Sequence, residues 1–200
     1  MGSKAHEQDG PEARRIASVI PYCAFKGIDR FYDIGGMTAD PEAFALAVDI
    51  FVQRYAAMDI TCIGGFDARG FILGPPVALR LGKPFFMLRK PGKMPNAVTG
   101  NAYTKEYVGD GEDGQDALGL PRGAVKDGDR VLLIDDLVAT GGTLVAGVEL
   151  VKLLGGTVVE CACMIELKAL DGVGRLRAAH PDVRVWSLIS EEILTLAAPP

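Results

Sequence analysis

The chain has 200 residues, enough for one domain with a full core, and its 48% hydrophobic and 24% charged content is that of a globular α/β protein. A net charge of −5 argues against a nucleic-acid-binding surface, and no apolar stretch reaches the length of a membrane span. The polar stretch Met1 to Pro11 lacks the apolar core of a signal peptide, and four scattered cysteines without C-x-x-C spacing suit reduced thiols in a cytoplasmic protein with no membrane partner.

Residues 1–10 show no apolar pattern and are expected to form a flexible tail. A short helix is expected near 12–19, then a loop. Asp40-Pro41-Glu42 lines up an N-cap, a first-turn proline and an early acid. Behind it Phe44, Val48, Phe51, Val52 and Tyr55 recur at helical spacing. Ile60 to Gly64 reads as a short strand, Gly74 to Leu81 as a helix with Pro75 and Pro76 in its first turn, and Pro84 to Leu88 as a second strand. That spacing is a parallel βαβ unit. Residues 91–119 break the rhythm with six glycines and two prolines and almost no apolar periodicity. A stretch of this kind reads as a lid or binding loop, assigned to residues 96–119. Val131 to Ile134 is an unbroken apolar run, as in a central parallel strand. A helix over 143–154 follows, with Leu144, Val148 and Val151 on one face and Gly155-Gly156 at its end. Val158 to Ile165, where Cys161 and Cys163 share a core-facing side, and Val183 to Leu188 complete the strands. The alternation predicts a doubly wound, mainly parallel α/β sheet in a single domain, with its ligand at the carboxyl ends of the strands.

Three segments at predicted strand ends carry chemistry. Asp135 and Asp136 follow the central strand directly, and two carboxylates there would be desolvated without partners. Ala139-Thr140-Gly141-Gly142-Thr143 then turns into a helix, offering backbone N–H groups, hydroxyls and a helix N-terminus to one phosphate. The acidic pair beside it suits vicinal hydroxyls and a hard metal ion, so a sugar phosphate fits both halves. No lysine follows the glycines as it would in a P-loop. Gly64-Gly65-Phe66-Asp67-Ala68-Arg69-Gly70 is a second strand-end turn, in which Asp67 would otherwise be a helix cap and Arg69 reaches an anionic oxygen. Arg89-Lys90-Pro91-Gly92-Lys93 is the third, a cluster of cations suited to a departing pyrophosphate. His6 and His180, the two histidines of the chain, are not expected to be ligands or bases.

The glycine-rich turn resembles the signature of type I phosphoribosyltransferases, which bind phosphoribosyl pyrophosphate (PRPP). The three segments in order, with Ala102-Tyr103, Glu106-Tyr107 and Phe31-Tyr32-Asp33-Ile34, resemble the adenine phosphoribosyltransferases over residues 20–190. The resemblance implies a purine salvage enzyme that moves phosphoribose from PRPP to adenine with Mg²⁺, giving AMP and pyrophosphate, on a homodimer that binds no nucleic acid. It implies that Ala139, Thr140, Gly141, Gly142 and Thr143 hold the 5′-phosphate and that Asp135 and Asp136 hold the ribose hydroxyls. Asp67, Ala68, Arg69, Arg89, Lys90 and Lys93 would hold pyrophosphate, and no residue is assigned directly to the metal, which travels with PRPP. Glu106 would assist proton movement at the purine, and Tyr103 and Tyr107 would belong to the lid. Residues 11–36 would form a hood, with Ile28, Arg30 and Phe31 at the adenine. Most members have a basic residue where Tyr32 stands, and Arg30 is expected to take over its charge. Two rivals share the fold: transfer to another base, and a PRPP-sensing regulator without activity. The Glu106-Tyr107 loop and the Arg-Lys-Pro-Gly-Lys segment favour adenine.

Overall fold

A computed structural model describes residues 6–104 and 115–198. The chain opens with α1 (Pro11–Ala17), then a hairpin of β1 (Tyr22–Phe25) and β2 (Ile28–Tyr32), then the short α2 (Gly35–Ala39). The loop expected after the first helix is therefore a hairpin. Its turn is Lys26-Gly27, both with positive φ (47° and 78°), the conformation that lets two strands reverse in two residues. Lysine at the first position hides that turn from a sequence reading that looks for Asn-Gly or Asp-Gly.

Next comes α3 (Pro41–Tyr55), started by Asp40, whose Oδ1 accepts the Glu42 and Ala43 N–H groups at 3.0 Å each. Chain order continues with β3 (Cys62–Phe66), α4 (Gly70–Leu81) and β4 (Phe85–Leu88). The α4 helix begins four residues before the expected start, so Pro75 and Pro76 lie in its interior and not in its first turn. Its glycine-led opening is dictated by packing. A Cβ on Gly70 would lie 2.5 Å from the Ile134 carbonyl oxygen, and one on Gly74 would lie 2.4 Å from the Phe85 ring.

The segment expected as a loop over 96–119 has paired ends. β5 (Ala97–Thr104) and β6 (Gln115–Pro121) form a separate antiparallel ribbon, tied to the end of β4 by two backbone bonds between Arg89 and Gly119. The chain ends with β7 (Arg130–Val138), α5 (Gly142–Leu153), β8 (Thr157–Glu166), α6 (Gly172–Ala179) and β9 (Arg184–Ser190).

The main sheet is all parallel in the order β4-β3-β7-β8-β9. Successive residues of β7 serve opposite cores. Leu132 and Ile134 pack with α1 to α4 and β2, while Val131 and Leu133 pack with α5 and α6. Cys161 and Cys163 share the second face, as expected, and burial pushes the Cys161 thiol far above its usual value, so it is inert core. Residues 6–10 lie along β9 by polar contacts: Asp9 accepts from the Ser190 N–H and hydroxyl at 2.7 Å each, and Gln8 donates to Glu166 at 2.7 Å. From β3 the chain winds outward through α4 to β4, and from β7 it winds the other way through α5 to β8. The two central strands are therefore the switch point, where α/β sheets open a crevice at their carboxyl ends.

Candidate active site

The crevice follows from unequal pairing along β7. Its ladder with β3 ends at Gly65–Ile134, but its ladder with β8 runs on to Val138–Glu166. The strand thus continues through both carboxylates where the reading of the sequence ended it at Ile134. Asp135 and Asp136 stand just beyond the point at which β3 has turned away. Alternation along the strand sends them to opposite faces. Asp136 meets Arg69 on the α4 side, Nε to Oδ2 3.5 Å, while Asp135 Oδ1 accepts the Asp136 N–H at 2.9 Å. Burial pushes the Asp136 carboxyl above its usual range, and the charge of Arg69 opposes that rise.

The loop after β3 is organised around Asp67. Its N–H is taken by the Leu88 carbonyl at 2.9 Å, and the Asp67–Ala68 peptide bond is cis. Its Oδ2 accepts from Arg89 Nε and Nη2, both at 3.0 Å, and from Lys93 Nζ at 3.3 Å. Asp67 is thus the acid that gathers two cations of the neighbouring strand end, and α4 carries no side-chain cap from it. The Arg89 guanidinium also lies 5.5 Å over the Phe71 ring, the residue that follows the second strand-end turn.

Beyond β7, Ala139 and Gly142 are buried, and Gly141 caps α5 in the left-handed region at φ 77°. The first N–H groups of α5 have no partner inside the helix and point, with its dipole, at the turn. The turn has a backbone buttress the sequence did not reveal. A Cβ on Gly141 would meet the Gly172 oxygen at 2.4 Å, and one on Gly172 would meet the Ala139 oxygen at 2.3 Å.

The β1–β2 hairpin reaches the same centre through Phe31, whose ring lies 5.0 Å from the Arg69 guanidinium carbon. Arg30 is directed elsewhere, stacked 4.8 Å over Tyr22, and Tyr32 is buried beside Tyr22 in the core. Ile28 is half-buried at the turn end of β2. Contacts therefore join Phe31, Arg69 and Asp136 in one group and Asp67, Arg89 and Lys93 in another, while Lys90 is exposed at the start of a short 3₁₀ turn. Tyr103 lies on β5. Glu106 and Tyr107 lie outside the described residues.

A parallel sheet whose switch point carries an acidic strand end, a glycine turn at a helix N-terminus and a cationic loop defines a binder of phosphorylated sugars. Residues 38–195 match the phosphoribosyl transferase domain. The chain is 46% identical over 170 residues to adenine phosphoribosyltransferase 1 of Triticum aestivum, covering 84% of this chain and 90% of that protein. It superposes with a TM-score of 0.88 on adenine phosphoribosyl transferase from Trypanosoma brucei, solved with AMP, pyrophosphate and ribose-5-phosphate, at 34% identity over 97% of this chain and 86% of that one. The enzyme from Leishmania tarentolae gives 0.86 at 32% identity, over 94% of this chain and 91% of that one. The chain belongs to the adenine phosphoribosyltransferase family.

Proposed function

We propose that the chain transfers phosphoribose from PRPP to adenine, giving AMP and pyrophosphate. The observation that carries this reading is the Arg69–Asp136 contact, which joins the cationic loop after β3 to the acidic end of β7. A diphosphate and a sugar phosphate that are parts of one molecule need those two half-sites in contact. Ala139 to Thr143 hold the 5′-phosphate, and Asp135 and Asp136 hold the ribose hydroxyls. Arg69, Arg89, Lys90 and Lys93 hold the diphosphate, in a loop shaped by Asp67 and Ala68. Phe31 offers its ring to the base, with Ile28 on the same hairpin, while Arg30, stacked on Tyr22, stands away from it.

In the reaction the sugar carbon loses its bond to the diphosphate oxygen and gains one to a ring nitrogen, which sheds its proton. The carbon passes through a cation-like state, so positioning and charge stabilisation do most of the work. Glu106 takes the purine proton, and Tyr103 and Tyr107 belong to a lid that keeps water from the sugar. Among the described residues no three His, Cys, Asp or Glu side chains converge as a metal cage. A magnesium ion that travels with PRPP needs only one or two carboxylates, and Asp135 and Asp136 are hard oxygen donors of that kind. When bound, the ion neutralises charge on the departing diphosphate.

The working unit is a homodimer. On α4, Ile72 is 41% and Leu79 83% exposed, two turns apart on one face, and Met87 of the adjoining β4 is 37% exposed, an apolar stripe suited to a second copy. Free thiols suit a cytoplasmic setting. No helix among the described residues is long and apolar enough to cross a membrane.

The test is AMP formation from adenine and PRPP against a panel of bases. Adenine donates through its amino group where hypoxanthine accepts, so a pocket built for adenine prefers it by about four orders of magnitude. No turnover of adenine, or equal rates for both bases, would overturn the reading.

A further inference from the structure

A second charged cavity lies at the far edge of the sheet, along β9, and none of its lining residues belongs to the site above. It is a half-open cleft of about 270 Å³ lined from α3, α6, β8 and β9. Three arginines line it: Arg54, Arg177 and Arg184. Its one acid is Glu160, buried at 1% exposure, and that carboxylate is already saturated. Arg54 donates to it twice, Nε to Oε2 at 2.7 Å and Nη2 to Oε1 at 3.0 Å, and the Tyr55 hydroxyl adds a third bond at 2.7 Å.

The charges therefore do not balance. Glu160 neutralises Arg54, while Arg184 Nε stands off at 3.6 Å. Arg177 has no hydrogen bond or ion pair among the described residues. Arg184 also turns Nη2 to Met58 Sδ at 3.9 Å, and both it and Arg177 are exposed, so three guanidinium groups share one carboxylate along this cavity, in a chain whose net charge is −5. Arg54 is fixed besides, with its guanidinium 4.6 Å over Trp186 and 5.7 Å over Tyr55, so it stays with Glu160 and leaves an anion to the other two arginines. The remaining walls, Val173 and Val183 among them, are apolar. The volume is near the lower end of ligand pockets, about 300–1,000 Å³. It far exceeds what a bare phosphate needs beside a water's share of about 30 Å³.

We propose that this cavity binds a phosphomonoester carried on a flat apolar body, of the nucleoside monophosphate class. Arg177 and Arg184 take the phosphate, for which the guanidinium fork is suited, and the valines take the body. The site does not depend on the catalytic reading of the strand ends. It sits beside the amino-terminal half of β8, where Glu160 pairs with Arg184, three residues before Cys163 reaches the level of Asp135.

Calorimetric titration of the full chain with AMP tests this. Wild-type protein is expected to bind two equivalents per chain. Arg177→Ala/Arg184→Ala is expected to keep one equivalent and full turnover of adenine with PRPP. Thr140→Ala/Asp136→Asn is expected to keep the other equivalent without turnover. Arg177→Glu alone serves as a second variant, because Arg177 makes no described contact that supports the fold, and should weaken the extra site more than tenfold. Inorganic phosphate, the alternative source of the same group, should displace AMP from the extra site only weakly. A wild-type stoichiometry that the double arginine variant leaves unchanged, or phosphate binding as tightly as AMP, would each overturn the proposal. Loss of turnover in wild-type protein would instead count against the catalytic reading alone.

Discussion

Gly141→Ala tests the phosphate turn most directly. The perturbation has two parts. Gly141 sits at φ 77°, a conformation that costs an L-residue with a Cβ about 1–2 kcal/mol. The new Cβ would also lie 2.4 Å from the Gly172 oxygen, where ordinary contact begins at 3.4 Å, so the turn must move outward by 3.4 − 2.4 = 1.0 Å. Gly172 has little room to yield, since a Cβ placed on it would in turn lie 2.3 Å from the Ala139 oxygen and 2.7 Å from the Gly141 nitrogen. A misplacement of about 1 Å costs up to a hundredfold in rate when it falls on a positioning group. The expected result is kcat/KM for PRPP lowered about ten- to a hundredfold, a KM for adenine nearly unchanged, and a melting midpoint lower by roughly 2–8 °C, from about 2–4 °C per kcal/mol at this size. Steady-state kinetics with each substrate varied, together with a calorimetric melt, would show it. Gly172→Ala should give the same signature from behind, although residue 172 lies outside the turn. A folded Gly141→Ala protein with an unchanged KM for PRPP would refute the assignment of residues 139–143 to the phosphate.

Asp136→Asn should lower kcat/KM by the loss of about 1–3 kcal/mol, the scale of a charged hydrogen bond, in the same PRPP assay. Because burial raises this acid above its usual 3.8, its favourable contribution to stability is complete below that pH and is lost as pH rises through the raised value. Asp136→Asn should therefore gain stability relative to wild type between pH 4 and pH 8 in denaturant melts, and parallel curves would contradict the shift. Glu160→Ala leaves Arg54 half-buried without its partner and should cost about 3–5 kcal/mol in urea unfolding; a loss below about 1 kcal/mol would show the pair to be solvated. Leu79→Glu should shift the protein from dimer to monomer in sedimentation, and a dimer that persists would move the interface off α4.

The parts of the fold that show in the sequence are those whose burial is periodic. Val131 to Ile134 is buried on both faces, so it reads as an unbroken apolar run, and α3 announces itself through Asp40 and a stripe ending at Tyr55. The ribbon β5–β6 does not show, because it is a two-stranded addition packed mainly on α5 and β4, and residues such as Thr99 and Asn101 remain exposed. The start of α4 is hidden for another reason. Gly70 and Gly74 are there because the Ile134 backbone and the Phe85 ring come close, and a close approach from distant sequence leaves no local trace beyond the glycine itself. The same holds for the site. Three strand-end motifs could be found, but that Arg69 meets Asp136 depends on β3 lying beside β7, and the order of strands is set by packing between residues far apart in the chain. Arg30 shows the limit of reading by residue type. Its charge suits the base side, yet strand alternation turns it onto Tyr22 and gives Phe31 the inward position.

The arrangement of acids explains how a cationic loop can stand at the end of an acidic protein's sheet without disordering. Arg89 and Lys93 share the single carboxylate of Asp67, and Arg69 has Asp136. Each pair is half-exposed, so each attraction is nearer the roughly 4 kcal/mol of an effective dielectric of 20 at 4 Å than the much larger values of a dry interior, and solvation and side-chain entropy offset much of it. That is enough to hold a guanidinium in place and too little to compete with a diphosphate, which brings several negative charges to the same nitrogens. One carboxylate for two cations leaves the loop after β4 with net attraction for an anion. The Asp136–Arg69 pair is closer to balance, and on the proposed function it is the pair that faces the sugar. Binding strength is thereby concentrated on the group that leaves. The acid beside the sugar carbon stays available for hydroxyls, which need an acceptor, and for the positive charge that develops as the diphosphate departs.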